Sequence, residues 1–149
     1  MSTLPSGYTE LLYIESTGAQ YIDTGFKPNS NTRVVMMFDP ITANEEFYFG
    51  ARSSMSGSDL FACLFAGNTS KLRDDYGSNK FTTSIVPSGK ITIDKNKNIT
   101  SISGSSISGA THTHTASTFS CSYNLYLMAG NTGGSVNGQA TMKLYSCQI

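Results

Sequence analysis

Short apolar runs separated by Gly, Asn, Ser and Pro recur along the whole chain, whereas helical spacing of apolar residues is nearly absent. Runs of this kind between turn-forming residues are typical of β-strands. The pattern predicts strands at Leu11–Ser16, Gln20–Thr24, Thr32–Asp39, Glu46–Ala51, Leu60–Phe65, Lys71–Tyr76, Lys90–Lys95, Asn98–Ile102, Asn124–Ala129 and Gln139–Gln148. Their even spacing predicts an all-β fold, a two-sheet antiparallel jelly-roll sandwich that occupies residues 1–149 as a single domain.

The alternation of apolar and polar residues assigns the faces of the predicted strands. Ile91 and Ile93 are expected to face the core, because successive side chains of a strand point to opposite sides of the sheet. The strand Thr32–Asp39 is apolar on both faces between Val34 and Phe38. We expect either that another segment covers its outer face or that this face packs against a second copy of the chain.

The segment Asp94–Asn98, which reads DKNKN, predicts the turn of a hairpin. Lys90, Lys95 and Lys97 lie in or near this hairpin. We expect them to be solvated along its edge, where charged side chains discourage association with another strand.

The overall charge argues against nucleic acid as a partner. Lys and Arg together number 10 and Asp and Glu number 10, so the formal net charge is zero and no global field attracts DNA or RNA. No apolar run is long enough to span a bilayer, so membrane insertion is not expected. Charged residues make up 13% of the chain, and its polarity comes mainly from Ser, Thr, Asn and Gly, which suits neutral hydrogen bonding to sugars.

The three cysteines, Cys63, Cys121 and Cys147, are odd in number and include no Cys-x-x-Cys pair. This count indicates neither a zinc site nor a complete disulfide framework. We expect all three to be reduced and structural, because unpaired Cys usually behaves as a small buried hydrophobe. The alternative is a Cys121–Cys147 disulfide formed in an oxidising compartment.

The segment Leu4–Asn29, which reads LPSGYTELLYIESTGAQYIDTGFKPN, resembles the opening of the concanavalin A-like (laminin G-like) jelly-roll modules. Four further segments resemble later blocks of the same family and occur in the same order. They are Phe49–Arg52, Leu72–Gly77, Asn124–Ala129 and Met142–Cys147. Modules of this family recur in phage tail and surface proteins and in surface proteins of gut bacteria. In the family's fold the first and last strands are neighbours, so Leu11–Glu15 is expected to pair with the strand that contains Lys143–Cys147.

The resemblance implies binding at a surface rather than catalysis. It predicts a non-catalytic module that attaches a phage virion or a bacterial surface protein to a glycan or cell-surface polysaccharide. The expected location is the virion or the extracellular surface, and no signal peptide is expected at Met1–Pro5. The alternative is a structural decoration or oligomerisation domain that contacts other virion or surface proteins, or copies of itself as a homo-oligomer, and has no glycan ligand.

The carboxylates do not form the pattern of a glycoside hydrolase. Enzymes of this superfamily place acidic residues on one strand as Glu-x-Asp-x-x-Glu, so that one carboxylate attacks or activates while the other donates a proton. The chain lacks this string, and its adjacent pairs Glu45–Glu46 and Asp74–Asp75 would point to opposite faces of a strand. We therefore expect no enzymatic activity and no catalytic residues.

The predicted glycan site consists of Arg52, Asn68, Arg73, Asp75 and Tyr76. A planar aromatic ring can stack on a pyranose, and the polar side chains can bind vicinal hydroxyls. Trp, the commonest stacking residue of glycan sites, is absent. The alternative is structural, with the arginines paired to Asp74, Asp75 or Glu46 on neighbouring strands and Tyr76 capping the core.

The sequence predicts no cofactor, although two metal hypotheses can be stated. Calcium is common in concanavalin A-like modules, but the chain has no Asp-x-Asp-x-Asp array. The candidate calcium ligands are Asp23, Asp39, Asp59 and Asn68. His112 and His114 would place two imidazoles on one face of a strand, which falls short of a full set of metal ligands. The simpler interpretation of these histidines is a solvated segment rich in Ser and Thr.

Overall fold

The computed structural model of the protein describes residues 11–41 and 45–149, which contain no helix. The strands are β1 (Ile14–Thr17), β2 (Ile22–Asp23), β3 (Arg33–Pro40), β4 (Glu46–Arg52), β5 (Leu60–Ala66), β6 (Lys71–Gly77), β7 (Asn79–Thr82), β8 (Ile91–Asn96), β9 (Ile99–Gly104), β10 (Ala110–Thr113), β11 (Tyr126–Leu127), β12 (Gly130–Thr132), β13 (Ser135–Asn137) and β14 (Thr141–Gln148). Most predicted strands are present with shifted ends, and β7, β10, β12 and β13 are additional. The predicted strand Asn124–Ala129 is interrupted, because Met128 has a φ of +62°.

The strands form two sheets, as predicted. The first has the order β1-β14-β3-β8-β9-β10, and all of its neighbouring strands are antiparallel. The second has the order β13-β12-β4-β5-β6-β7 and is antiparallel except between β12 and β4. Beside this path, β11 pairs with both β2 and β4. Buried apolar residues from both sheets form one cluster, so the all-β two-sheet sandwich is confirmed.

The first and last strands are neighbours. Ile14 lies opposite Leu144 and Glu15 opposite Lys143 in the antiparallel pair of β1 and β14. The pairing that the family resemblance implied is therefore confirmed, and it joins the two ends of the described chain in one sheet.

The inner face of β3 is fully buried. Val34, Met36 and Phe38 have no exposed surface, whereas Val35 and Met37 on the outer face are half-buried. The strand lies between β14 and β8, in the interior of the first sheet. Its position explains why its core-facing residues are all apolar.

The second sheet is also buried on part of its outer face. Every residue of β4 and β5 is buried. Phe47, Ala62 and Leu64 form a small cluster separate from the main core, on the side of the sheet that faces away from it. Strands of a sheet with one solvated face usually alternate apolar and polar residues. A second apolar cluster on the outer face is therefore unusual.

The three cysteines are free thiols in the structure. Cys63 and Cys121 are buried and Cys147 is half-buried, in agreement with a structural role. Burial raises the pKa of Cys121 to about 12 and that of Cys147 to about 11, which keeps both thiols protonated near neutral pH. None of the described residues forms a helix that could cross a membrane.

Candidate functional site

A pocket of about 190 Å³ lies on the outer face of the second sheet, next to the cluster of Phe47, Ala62 and Leu64. It is lined by Glu45, Phe47, Arg52, Met55, Leu64, Arg73, Asn137 and Gly138. Two of the predicted site residues, Arg52 and Arg73, therefore meet at one pocket although they come from different strands. Asp75 joins them, because it lies on the same face of β6 as Arg73.

A larger pocket of about 320 Å³ occurs elsewhere in the described chain. Its lining consists of Ser84, Ile85, Val86, Ser106, Ile107 and Ser108, with no charged side chain. The pocket with the two arginines is therefore the better candidate for recognition of a charged or strongly polar ligand.

Arg52 is buried to an unusual degree for an arginine, with 3% of its surface exposed. Its Nε donates a hydrogen bond to Oγ1 of Thr132 over 2.9 Å, and the Thr132 hydroxyl donates to Oδ1 of Asn137 over 3.2 Å. Its Nη1 is buried without a hydrogen-bond partner. Leaving a buried donor unsatisfied costs about 1–3 kcal/mol, and more for a charged group, so an acceptor supplied by a ligand would offset this cost.

Phe47 lies beneath the guanidinium of Arg52. Cζ of Arg52 is 4.7 Å from the centroid of the Phe47 ring, which is a cation–π contact. Burial is the main influence that lowers the pKa of Arg52; Asp75 raises it and Arg73 lowers it further. These effects follow from the proximity of Asp75 and Arg73 to Arg52.

Arg73 is held by Asp75 on its own strand. Its Nε and Nη2 donate to the two carboxylate oxygens, each over 2.9 Å, and the Asp75 side chain is fully buried. The partner is a residue of the same strand, whereas the structural alternative expected one on a neighbouring strand. Lys80 lies opposite Asp75 and donates a hydrogen bond to the carbonyl of Met55 at the rim of the pocket.

The charges around the pocket leave a positive excess. Among the residues that line the pocket, Arg52 and Arg73 are cations and Glu45 is a carboxylate, so the lining has one positive charge in excess. A pocket of this charge with an unsatisfied guanidinium donor favours an anionic ligand group.

Three predicted site residues, Asn68, Asp75 and Tyr76, lie outside the pocket lining, and Asp75 is the one that contacts a lining residue, Arg73. Tyr76 faces the core with 2% of its surface exposed, and its hydroxyl donates to the carbonyls of Ser30 and Ser117 at 3.0 and 3.2 Å. It cannot stack on a sugar there, so its assignment to the site is corrected to a core role, as the structural alternative proposed. Asn68 is exposed in the turn between β5 and β6.

His112 and His114 belong to a cluster between the two sheets. Nε2 of His114 is 2.9 Å from Oδ2 of Asp74, and Nζ of Lys95 donates to Oδ1 of Asp74 over 2.5 Å. Lys95 and Asp74 are fully buried and His114 is 5% exposed, so the expectation of solvation was wrong for Lys95 and His114. The His112 ring stacks on Phe81 with 3.5 Å between centroids, and also contacts His114.

Two of the four candidate calcium ligands, Asp23 and Asp59, accept hydrogen bonds from nearby loops. Asp23 accepts hydrogen bonds from the amide of Gly25 and from Nδ2 of Asn124. Asp59 accepts from the amide and hydroxyl of Ser53. Within residues 11–41 and 45–149, no group of three or more His, Cys, Asp or Glu side chains could hold a metal ion.

Sequence reasoning missed Phe47, Thr132 and Asn137. Phe47 has the pattern of a core residue, but the register between β4 and β5 shifts after it, which leaves its side chain in the outer cluster. Thr132 and Asn137 lie in the Gly-rich segment Gly130–Gly138, which the sequence predicts as a flexible loop and which forms β12 and β13. The Asn and Thr residues between those glycines could have indicated a polar part of the site.

The fold is that of a β-sandwich domain, and comparisons identify structures of this class. No protein-family model and no curated protein matches the chain. Two structures of the carbohydrate-binding module CBM40 of the Ruminococcus gnavus IT-sialidase each match 91% of this chain. The first has a TM-score of 0.57 and 12% sequence identity, and the match covers 88% of its chain. The second, bound to alpha2,3 sialyllactose, has a TM-score of 0.59 and 13% sequence identity, and the match covers 87% of its chain.

A structure described as NanB plus Optactamide also matches, with a TM-score of 0.52 and 12% identity. The match covers 84% of this chain and 24% of that one. At these identities the comparisons show a shared β-sandwich fold, and the ligand must be argued from the residues of this chain.

Proposed function

We propose that the protein is a non-catalytic carbohydrate-binding module whose site is the pocket between Arg52 and Arg73, and that it recognises a glycan carrying an acidic sugar. The observation that supports this proposal is the buried Nη1 of Arg52, which has no hydrogen-bond partner among residues 11–41 and 45–149. A sugar carboxylate is a planar acceptor that pairs strongly with a guanidinium.

The charge of the pocket supports the same ligand class. Asp75 already occupies Nε and Nη2 of Arg73, so this pair supplies a fixed polar wall. Arg52 uses Nε for Thr132 and retains an unsatisfied donor. A carboxylate at Arg52, with sugar hydroxyls directed to Asn137 and the Arg73–Asp75 pair, would match the hydrogen-bonding groups of the lining.

The comparison structures add independent support. A CBM40 module of the same fold is bound to alpha2,3 sialyllactose, an oligosaccharide with an acidic terminal sugar. Sialylated oligosaccharides are therefore the first probes to use for this chain.

The absence of catalysis is part of the proposal. In β6, Asp74 faces the core and is held by Lys95, whereas Asp75 faces outward and is held by Arg73. Neither carboxylate shares a face with the other, and a glycoside hydrolase needs two carboxyl groups on either side of one bond. Attachment of a virion or an extracellular surface protein to host glycans, which the family resemblance implies, is the setting that we propose for this binding.

Calorimetric titration with α2,3-sialyllactose tests the proposal in the wild type, Arg52→Met and Arg33→Met. The wild type should bind saturably, and Arg52→Met should weaken binding about 30-fold or more, because losing one partner of a desolvated charged pair costs at least about 2 kcal/mol. Arg33→Met is the control, since Arg33 lies on the first sheet and pairs with Asp94.

The Met variant should fold at least as stably as the wild type, because it replaces a buried unsatisfied charge by an apolar chain of similar length. Equal affinity of Arg52→Met and the wild type would contradict the proposed site. Absence of saturable binding by the wild type to sialylated and uronic-acid oligosaccharides alike would contradict the ligand class.

A further inference from the structure

We infer that Phe47 is a positioning residue of the proposed carbohydrate site, whose ring fixes the guanidinium of Arg52 in the wall of the pocket before a ligand's carboxylate binds. The inference rests on the proposed function and goes beyond it, because it explains how an arginine without an ion-pair partner on Nη1 is kept in one orientation. Phe47 itself need not touch the sugar.

Three glycines surround the Phe47 ring, and we call them the glycine floor: Gly50, Gly130 and Gly138. A Cβ atom placed on any of them would lie 2.8 Å from a ring carbon, a distance that real Cβ atoms essentially never show. The glycines come from β4, from β12 and from the residue after β13, so three separate segments leave space for one ring.

Backbone conformation does not require glycine at two of these positions. Gly138 has a positive φ of +55°, whereas Gly50 and Gly130 are absent from the positive-φ residues of the described chain. For Gly50 and Gly130 the lack of a side chain is therefore explained by the ring that fills the space. This arrangement holds the ring with 5% of its surface exposed on the outer face of the sheet, away from the main core.

The ring in turn limits how Arg52 can lie. Its Cζ atom is 4.7 Å from the ring centroid, and its Nε donates a hydrogen bond to Thr132. The Thr132 hydroxyl donates in turn to Asn137, which lines the pocket. The ring contact and the Nε hydrogen bond therefore hold the guanidinium from two sides.

The consequence for binding is preorganisation. A free arginine loses rotamer entropy when a ligand immobilises it, at about 0.5–1.5 kcal/mol for a side chain of this kind. Because Phe47 and the glycine floor immobilise Arg52 during folding, the ligand does not bear that loss. Removal of the ring should therefore weaken binding of an acidic sugar by about 3- to 10-fold, which is the same free energy expressed as a ratio.

The first test needs no ligand. Relaxation of the ¹⁵Nε–H group of Arg52 is measured by NMR in the wild type, Phe47→Leu, Phe47→Tyr and the core control Phe38→Leu. The Nε–H order parameter should be high in the wild type, Phe47→Tyr and Phe38→Leu, and should fall in Phe47→Leu. An equally ordered Arg52 in Phe47→Leu would overturn the inference.

Gly130→Ala is the second variant, for use where Phe47→Leu does not fold. Its Cβ would displace the ring while leaving the phenylalanine in place, because the nearest ring carbon is 2.8 Å away. It should also reduce the order of Arg52, and unchanged order in this variant would again overturn the inference.

The second test is affinity for α2,3-sialyllactose with the same variants. Phe47→Leu should bind about 3- to 10-fold more weakly, and the core control Phe38→Leu should bind like the wild type. If Arg52→Met loses binding but Phe47→Leu does not, positioning by Phe47 is wrong and the proposed site stands. If the wild type does not bind, the proposed function is wrong, and the order of Arg52 still decides whether Phe47 positions it.

Discussion

Asp74, Asp75 and Tyr76 are consecutive residues of β6 with different environments. Asp74 is buried between the sheets with Lys95, Asp75 holds Arg73 on the outer face, and Tyr76 returns to the core. The alternation of a strand causes this division, because each residue faces opposite to the next. One strand therefore supplies both the wall of the pocket and part of the interior that supports it.

Tyr76→Phe separates the two roles at the scale of a residue. The variant removes the hydroxyl that donates to the carbonyls of Ser30 and Ser117, so the free energy of unfolding should fall by about 1 kcal/mol. Affinity for acidic glycans should not change, because the ring lies on the core face. Chemical denaturation and titration of the same sample measure both, and a loss of affinity without a loss of stability would return Tyr76 to the site.

The sequence identifies the chemistry of the pocket better than its geometry. Arg52, Arg73 and Asp75 can be selected from sequence because charged residues inside strand patterns are conspicuous. The burial of Arg52 and its contact with Phe47 cannot be predicted from sequence. They depend on a register shift after Phe47 and on glycines that are distant in the chain. Tyr76 was misassigned because composition cannot tell which face of a strand carries a binding surface.

At the scale of elements, the Asp74–Lys95–His114 cluster links the two sheets. Asp74 belongs to β6 of the second sheet, Lys95 to β8 of the first, and His114 follows β10. Nζ of Lys95 is also 3.5 Å from Oγ1 of Thr100 on β9. Removal of one partner from such a buried pair leaves an uncompensated charge and destabilises a protein strongly.

The cluster predicts acid lability. Burial opposes ionisation of Asp74, but Lys95 and the hydrogen bonds from His114 and Lys95 outweigh it and lower the pKa to about 2, from 3.8. A depressed carboxyl pKa stabilises the fold at pH values above 3.8, and this stabilisation is lost as the pH falls towards 2. The shift corresponds to about 2 kcal/mol.

A second, separate decline in the stability of the fold is expected closer to neutral pH. Burial, together with His114 and Lys95, lowers the pKa of His112, and the opposing effect of Asp74 is smaller. The neutral imidazole is therefore favoured in the fold, and stability should begin to fall as the pH drops below about 6.5. Urea unfolding between pH 8 and pH 2 would show both declines; His112→Phe, which retains an aromatic partner for Phe81, should remove the upper one alone.

The elements could be predicted where their residues are apolar and not where they are polar. β8 follows from apolar alternation and β3 and β5 from apolar runs, whereas β7, β10 and β13 are short polar strands at sheet edges that pairing with a neighbour defines. Lys95 follows the same alternation as Ile91 and Ile93, which places it in the core. Lysine generally prefers solvent, so Lys95 was predicted to be exposed. Its buried partner Asp74 is remote in sequence and could not be recognised there.

The sandwich as a whole has two outer faces, and we propose that one of them binds the glycan. The outer face of the second sheet carries the pocket, the buried arginine and the positive excess. The outer face of the first sheet carries the half-buried Val35 and Met37 and the Arg33–Asp94 ion pair. A rigid two-sheet frame keeps the pocket residues of β4, β5, β6 and β13 at fixed separations.

An NMR titration of the ¹⁵N-labelled wild-type protein with α2,3-sialyllactose tests this assignment most directly. The account predicts saturable shifts that are largest for the side chain of Arg52 and for the backbone of Thr132 and Asn137. Saturable shifts centred on Val35 and Met37 instead, or no saturable shifts at all, would contradict it.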